Sequence, residues 1–230
     1  MSLQVINALP TAPRRVPRWL LALGLLVLAG FACRFIASNV FHYRSYDATT
    51  YDIFWPRRFG LIPHMLGGTI AVLIGVMQLW LGATGRIGHV HRTLGKIYLG
   101  AVSVGSVGAY YLAFTIQTRY FLYAIGLGSL ATAWVLTSGM AYIAIRNGNI
   151  EQHREWMIRS YAVTFAFVTF RIFDNLFISW KIAPEPEVDT AMAFACFAIP
   201  LMFIEPILQF RKLRRIVMNA DEPPAWHANL

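Results

Sequence analysis

Two short stretches carry the residue types best suited to chemistry. "GHVHRTLG" at 88–95 and "QHREWMIRSY" at 152–161 each set a histidine and then an arginine at the foot of a long apolar run. An imidazole in the first turn of a helix meets the positive end of the macrodipole, which favours the neutral ring, the form that ligates a metal. His91 and His153 are therefore candidate metal or haem ligands, with His89 and His64 as further cofactor-binding candidates. His42 has no evident role, and His227 sits in a polar tail and is discounted.

His64 and His91 share a second feature: glycine four residues on, Gly68 in "HMLGG" and Gly95 in "HRTLG". Residues i and i+4 share a helix face, so each histidine has a bare patch one turn deeper. A flat macrocycle needs such a gap, and so does close helix–helix approach, for which small residues at this spacing are the ordinary membrane device. Ala101, Gly105 and Ala109 continue the series after Gly95. Both readings stay open. Arg92 and Arg154 directly follow His91 and His153, so on a helix they diverge from the imidazoles toward the rim. There they serve either as topology charges or as clamps for an anion such as a haem propionate or lipid phosphate.

A third pattern is a polar stripe. His153, Ser160, Thr164, Arg171 and the pair Asp174–Asn175 recur at helical steps along one face of the fifth apolar run. Polar groups inside a membrane turn toward partners. The stripe is either a structural network, with Arg171 and Asp174 neutralising each other, or the lining of a cofactor site or proton path. Glu205, ahead of Pro206 in "FIEPILQF", either closes a network with Arg159 or Arg154 or is merely interfacial.

These residues need elements to hold them. The chain has 230 residues, 57% apolar and 13% charged, about half the charged share of a soluble domain, and its mean hydropathy is +0.51. Six runs approach the ~20 apolar residues that cross a bilayer: 19–40, 61–81, 94–114, 120–145, 156–180 and 191–210. The expected fold is all-α, a single six-span membrane bundle over residues 1–230. The first run follows "PRRVPRW" and reads as a retained anchor, because no small-residue cleavage site follows it.

With the N-terminus cytoplasmic, the inner side collects Arg14, Arg15, Arg18, Arg86, Arg92, Lys96, Arg146, Arg154, Arg159, Arg211, Lys212, Arg214 and Arg215. The outer side keeps Arg44, Arg57, Arg58, Arg119 and Lys181. Thirteen against five is a positive-inside bias that puts both termini in the cytoplasm and the chain in the cell inner membrane. The net charge of +9 is explained by span flanks and anionic lipid, and no soluble segment offers a basic face for nucleic acid. Cys33 and Cys196 match no metal or redox spacing and read as small packing residues. No nucleophile–base pair, phosphate loop or CxxC is present, which argues against acyl-transfer or nucleotide-driven catalysis and leaves the catalytic residues unassigned.

"HMLGGTIAVLIGVMQLW", "HRTLGKIYLG" and "HREWMIRSYAVTFAFVTFR" resemble three blocks of an uncharacterised bacterial family of membrane proteins, a domain of unknown function. The matching positions are His64, Gly68 and Gln78; His91, Arg92, Gly95 and Tyr98; and His153, Arg154, Trp156, Met157, Arg159, Ser160 and Tyr161. Lys96 replaces the family's usual arginine. The resemblance covers roughly 60–175 and names no activity. More distantly, the His-x-x-x-Gly helix starts are similar to cytochrome b561-like bundles, which implies b-type haem on histidine ligands. His64, however, has no outer-leaflet partner beyond His42.

Three functions follow. The first is a b-type haem between His91 and His153 (or His89), passing electrons to quinone or a redox partner. The second is a bare transition-metal site on His89, His91 and His153, with Glu151 and Glu155 near in sequence. The third is a cofactor-free carrier, or a subunit of a larger membrane complex, in which the stripe serves as a substrate or proton path.

Overall fold

The computed structural model describes residues 17–181 and 184–220. Arg14, Arg15 and His227 lie outside them, as do the side chains of Arg18, Asp174 and Arg215. The described chain forms α1 (Arg18–Phe35), α2 (Ala48–Tyr51), α3 (Arg58–Ala83), α4 (His89–Ile116), α5 (Phe121–Arg146), α6 (Ile150–Ser179) and α7 (Glu185–Ala220). No strand occurs among the described residues. α1 runs on through a wide turn (Ile36–Val40) and a tight one (Phe41–Arg44), and α7 continues through Pro200 and Pro206.

Burial is inverted relative to a soluble domain. Val107, Phe114 and Met202 are 71%, 72% and 72% exposed, whereas Ser160 and Thr164 are fully buried. An apolar exterior around a hydroxyl-bearing interior is what hydrocarbon solvent selects, because the solvent offers polar groups no partners. By length and composition, α1, α2–α3, α4, α5 and α7 can each cross a membrane. α6 is about 45 Å long and carries Arg159 and Arg171 on either side of the charge-free stretch from Ser160 to Phe170. It packs against α1, α3, α5 and α7.

α3, α4, α5 and α6 form a four-helix core. α3 packs on α4 and α6, and α5 on α4 and α6, so α4 and α6 are diagonal partners. α7 closes on α5 and α6, and α1 on α3 and α6, where Ala32, Val72 and Val168 form a small cluster. Glycine sets the α3–α4 distance. A Cβ at Gly67 would overlap the main chain of Ala101 and Gly105, and one at Gly108 would overlap Gly60 and His64. Here the small-residue reading of the Ala101–Gly105 series holds: a Gly67 Cβ would strike it, and a Gly105 Cβ would meet the Gly68 nitrogen at 3.4 Å.

Two matching turns end α3 and α5 at the same rim. In each, a glycine sits in the left-handed region: Gly85 at φ +74° and Gly148 at φ +73°. Arg86 N–H donates to Leu81 O and Asn149 N–H to Ala144 O, both at 2.9 Å, the six-to-one bond of a Schellman cap. Asn149 then caps α6 by accepting from Gln152 N–H at 3.0 Å. These reversals are short enough to deliver His91 and His153 to one end of the bundle. Cys196 packs in the core as expected, whereas Cys33 is exposed on α1.

Candidate functional site

His91 opens α4 and His153 opens α6, so the two imidazoles come from diagonal helices at one rim, within electrostatic reach of each other. His153 Nδ1–H donates to the Ala141 carbonyl of α5 at 2.8 Å. That bond sets the tautomer and leaves Nε2 as the nitrogen with a lone pair. His91 Nδ1 is buried without a hydrogen-bond partner. The main chain of His91 is held separately: its carbonyl accepts from Gln78 Nε2 at 2.7 Å. Gln78 is buried, and its amide stands 3.5 Å from where a Gly95 Cβ would lie. The patch beside Gly95 is therefore taken by Gln78, not left bare.

The flanking residues divide by exposure. Arg92, Arg154 and His89 are exposed, and His89 Nδ1 faces the Thr93 hydroxyl at 3.5 Å. Among the described residues no three His, Cys, Asp or Glu side chains converge as a metal group, so the His89–His91–His153 triad is not assembled. About 9 Å further along α6, Arg159 turns to α7. Its Nε and Nη2 both donate to Glu205 Oε2, at 2.9 and 2.7 Å, with Glu155 3.7 Å away and the Trp156 ring beneath at 4.8 Å. Of the two readings of Glu205, the contact with Arg159 is the one found, and it ties α6 to α7 apart from the Ser160–Thr164 pair.

Deeper in, α4, α5 and α6 share a closed hydroxyl cluster. Tyr98 OH lies 2.7 Å from both Ser160 Oγ and Thr164 Oγ1. Ser138 Oγ is 2.7 Å from Ser160 Oγ, and Trp134 Nε1–H donates to Thr164 Oγ1 at 2.8 Å. Counting hydrogens orders the whole set. Thr164 has one, given to the Ser160 carbonyl at 2.8 Å, so Tyr98 must donate to Thr164. Ser160 must then donate to Tyr98, and Ser138 to Ser160. Tyr98, Trp134, Ser160 and Thr164 are fully buried, so an unmet donor here would have no water to turn to.

His64 belongs to the other half. Its Nδ1–H donates to the Gly105 carbonyl at 3.1 Å, a bond the glycine-lined α3–α4 contact permits. Gly105 is fourteen residues from His91, about 21 Å along α4, so His64 does not join the rim pair. Its ring meets Phe167 edge-on at 5.0 Å, and Phe167 in turn meets Trp134 at 5.0 Å. Gly68, one turn on, is buried, yet a Cβ there would meet nothing within 4 Å. Arg171 lies within electrostatic reach of both His64 and Tyr43. Its expected pairing with Asp174 involves a side chain outside those described, and Asn175 is exposed. The stripe thus splits into the rim imidazole of His153, the buried Ser160–Thr164 pair, and Arg171 near the far rim.

Sequence reasoning did not single out Trp134, Ser138 or Ala141 of α5. Trp134 and Ser138 lie four apart and Ala141 three further on, one helical face, and that spacing is the only local signal they carry.

Residues 61–208 match the family of predicted membrane proteins designated DUF2306, well over half of the chain, and the chain belongs to that family. No curated protein and no solved structure matches it.

Proposed function

We propose that this DUF2306 member is a histidine-ligated electron-transfer protein of the membrane, with a b-type haem held between His91 and His153. One observation carries the reading: imidazoles from diagonal helices stand at one rim within electrostatic reach, one ring fixed by a main-chain carbonyl and the other with a buried, partnerless nitrogen. Ligands that project inward from facing helices are how bundles build cofactor sites, and a ring N–H bonded to a carbonyl is the usual support for a ligating histidine. Because Gln78 takes the patch beside Gly95, the reading rests on the two ring nitrogens and not on a glycine gap, and a bare transition metal on the same nitrogens is its coarser form.

The roles of the chain's own groups follow. His153, oriented through Ala141, presents Nε2, and His91, anchored by Gln78, supplies the second nitrogen. Exposed Arg92 and Arg154 sit where they meet anionic edges at headgroup height. When bound, a haem supplies a one-electron couple. Quinone in the bilayer or a neighbouring membrane subunit is the exchange partner proposed, from the cytoplasmic rim of the inner membrane, where the positive-inside rule places His91 and His153.

A second reading, a cofactor-free carrier or accessory subunit, is favoured by the closed hydroxyl cluster, whose donors are all satisfied and which serves the bundle without any ligand. Purified protein from haem-sufficient cells separates the two. A Soret band with a sharp reduced α-band, lost in His91→Ala and in His153→Ala, supports haem. A colourless, metal-free preparation overturns both haem and bare metal and leaves the second reading.

A further inference from the structure

α7 is longer than the bilayer it can cross. Its 36 residues extend about 54 Å, whereas hydrocarbon and headgroups together measure about 40–45 Å. Its C-terminal end lies at the rim shared with His91 and His153, because Glu205 accepts from Arg159 in the first third of α6. Leu208 is the last buried residue of α7, and beyond it no described side chain is buried in the bundle.

That protruding end has two unlike faces. Phe210, Leu213, Ile216 and Val217 are exposed and fall within about 120° of one another at 3.6 residues per turn. Arg211, Lys212 and Arg214 occupy the remaining arc, with Arg211 and Lys212 exposed. Arg215 makes a fourth cation in five residues, and no acid occurs from Pro206 to Ala220. Glu205, the nearest acid along α7, is already engaged by Arg159 and by Gln209 Nε2 at 2.6 Å.

Depth decides what this end must meet. The headgroup layer is about 5–7 Å thick on each side, and Ile216 and Val217 stand about 9–10 Å past Phe210. An upright helix would therefore carry two exposed aliphatic side chains into water. A tilt toward the apolar arc returns them to acyl chains and lays the cations at phosphate height. Apolar contact alone would suit any bilayer, whereas a run of cations without acids selects an anionic one.

We propose that the end of α7, from Phe210 to Val217, docks on the bilayer surface by binding anionic phospholipid headgroups. Leu213, Ile216 and Val217 rest against acyl chains, and Arg211, Lys212 and Arg214 meet the phosphates.

The test uses the full chain with a polarity-sensitive thiol dye attached through Ile216→Cys in a Cys33→Ser background, Cys196 being buried. The protein is placed in phosphatidylcholine vesicles with or without phosphatidylglycerol. Lipids doxyl-labelled near the headgroup should quench the dye in the mixed vesicles at low salt, and several-fold less in pure phosphatidylcholine or at high salt. Arg211→Gln, Lys212→Gln and Arg214→Gln together should erase the difference between the two lipids and leave thermal unfolding of the bundle unchanged. Each cation removed should weaken docking about fivefold. Quenching that is equal in the two lipids, or unmoved by the triple substitution, overturns the proposal. A dye buried yet unquenched, with copies that crosslink through Ile216→Cys, also overturns it by placing a second copy on the apolar arc.

Discussion

The side-chain amide of Gln78 on α3 donates to the main-chain carbonyl of His91 on α4 at 2.7 Å, thirteen residues away in sequence. The bond spans the Schellman turn at Gly85 and ties the first turn of α4 to its neighbour. Gly95 leaves the Gln78 amide its room.

Replacing Gln78 with Leu should therefore act on His91 without touching its ring. The loss is about 1–2 kcal/mol, one buried hydrogen bond plus an orphaned carbonyl, read by denaturant unfolding in detergent. Gly95→Ala should cost far less, since its Cβ would meet the amide at an ordinary 3.5 Å. Equal effects of the two substitutions refute the positioning role.

Gly67 and Gly68 are adjacent but should behave oppositely. Gly67→Ala drives a methyl into the main chain of α4 and should destabilise by about 1–3 kcal/mol. Gly68→Ala enters open space and should be neutral, or stabilising by about 0.5–1 kcal/mol through helix propensity. Thermal unfolding of the two single variants decides the matter.

Tyr98→Phe removes two of the buried bonds at once and leaves the Ser160 hydroxyl without its acceptor. Hydrogen bonds inside membrane proteins average about 0.6 kcal/mol and reach about 1.7, so a loss of about 1–2 kcal/mol is expected. Because Thr164 shares the cluster, Tyr98→Phe combined with Thr164→Val should be less damaging than the sum of the singles. Strict additivity in a double-mutant cycle argues against the shared cluster.

Asp47 caps α2 outside the candidate spans. The Thr49 hydroxyl at 2.5 Å and the Thr50 N–H and hydroxyl at 2.7 and 2.9 Å hold its carboxyl below the usual aspartate range. The folded group is the stronger acid, so the cap contributes fully above the ordinary aspartate value of about 3.9 and fades as pH falls through the lower folded value. A carboxyl-carbon titration by NMR should find a midpoint below that of a peptide aspartate, and Thr49→Val should raise it. A midpoint at or above the peptide value contradicts this.

Much of the protein was legible from residue order alone, because the deciding rules are local. Apolar run length marks helices, flanking arginines mark rims, and a histidine directly after a short break must open the next helix. That logic found every long helix, although α6 and α7 begin six residues before their apolar runs and α7 continues ten beyond its own. The same logic put His91 and His153 near helix starts, and the small-residue spacing pointed to the α3–α4 contact. It did not separate Gly67 from Gly68, nor foresee that Gln78 fills the space at Gly95, because those outcomes depend on the rotation of one helix against another. α6 shows the same division. Its apolar run marks a long helix, but the partners of its Ser160 and Thr164 hydroxyls are supplied by α4 and α5 and appear only once those helices are packed. The diagonal meeting of α4 and α6, the Ala141 carbonyl beneath His153 and the one-way order of the Tyr98 hydroxyls are products of tertiary packing. The physical reason is range: hydropathy and capping act over a few residues, whereas a hydrogen bond between Tyr98 and Thr164 needs 66 residues of intervening chain to be placed first.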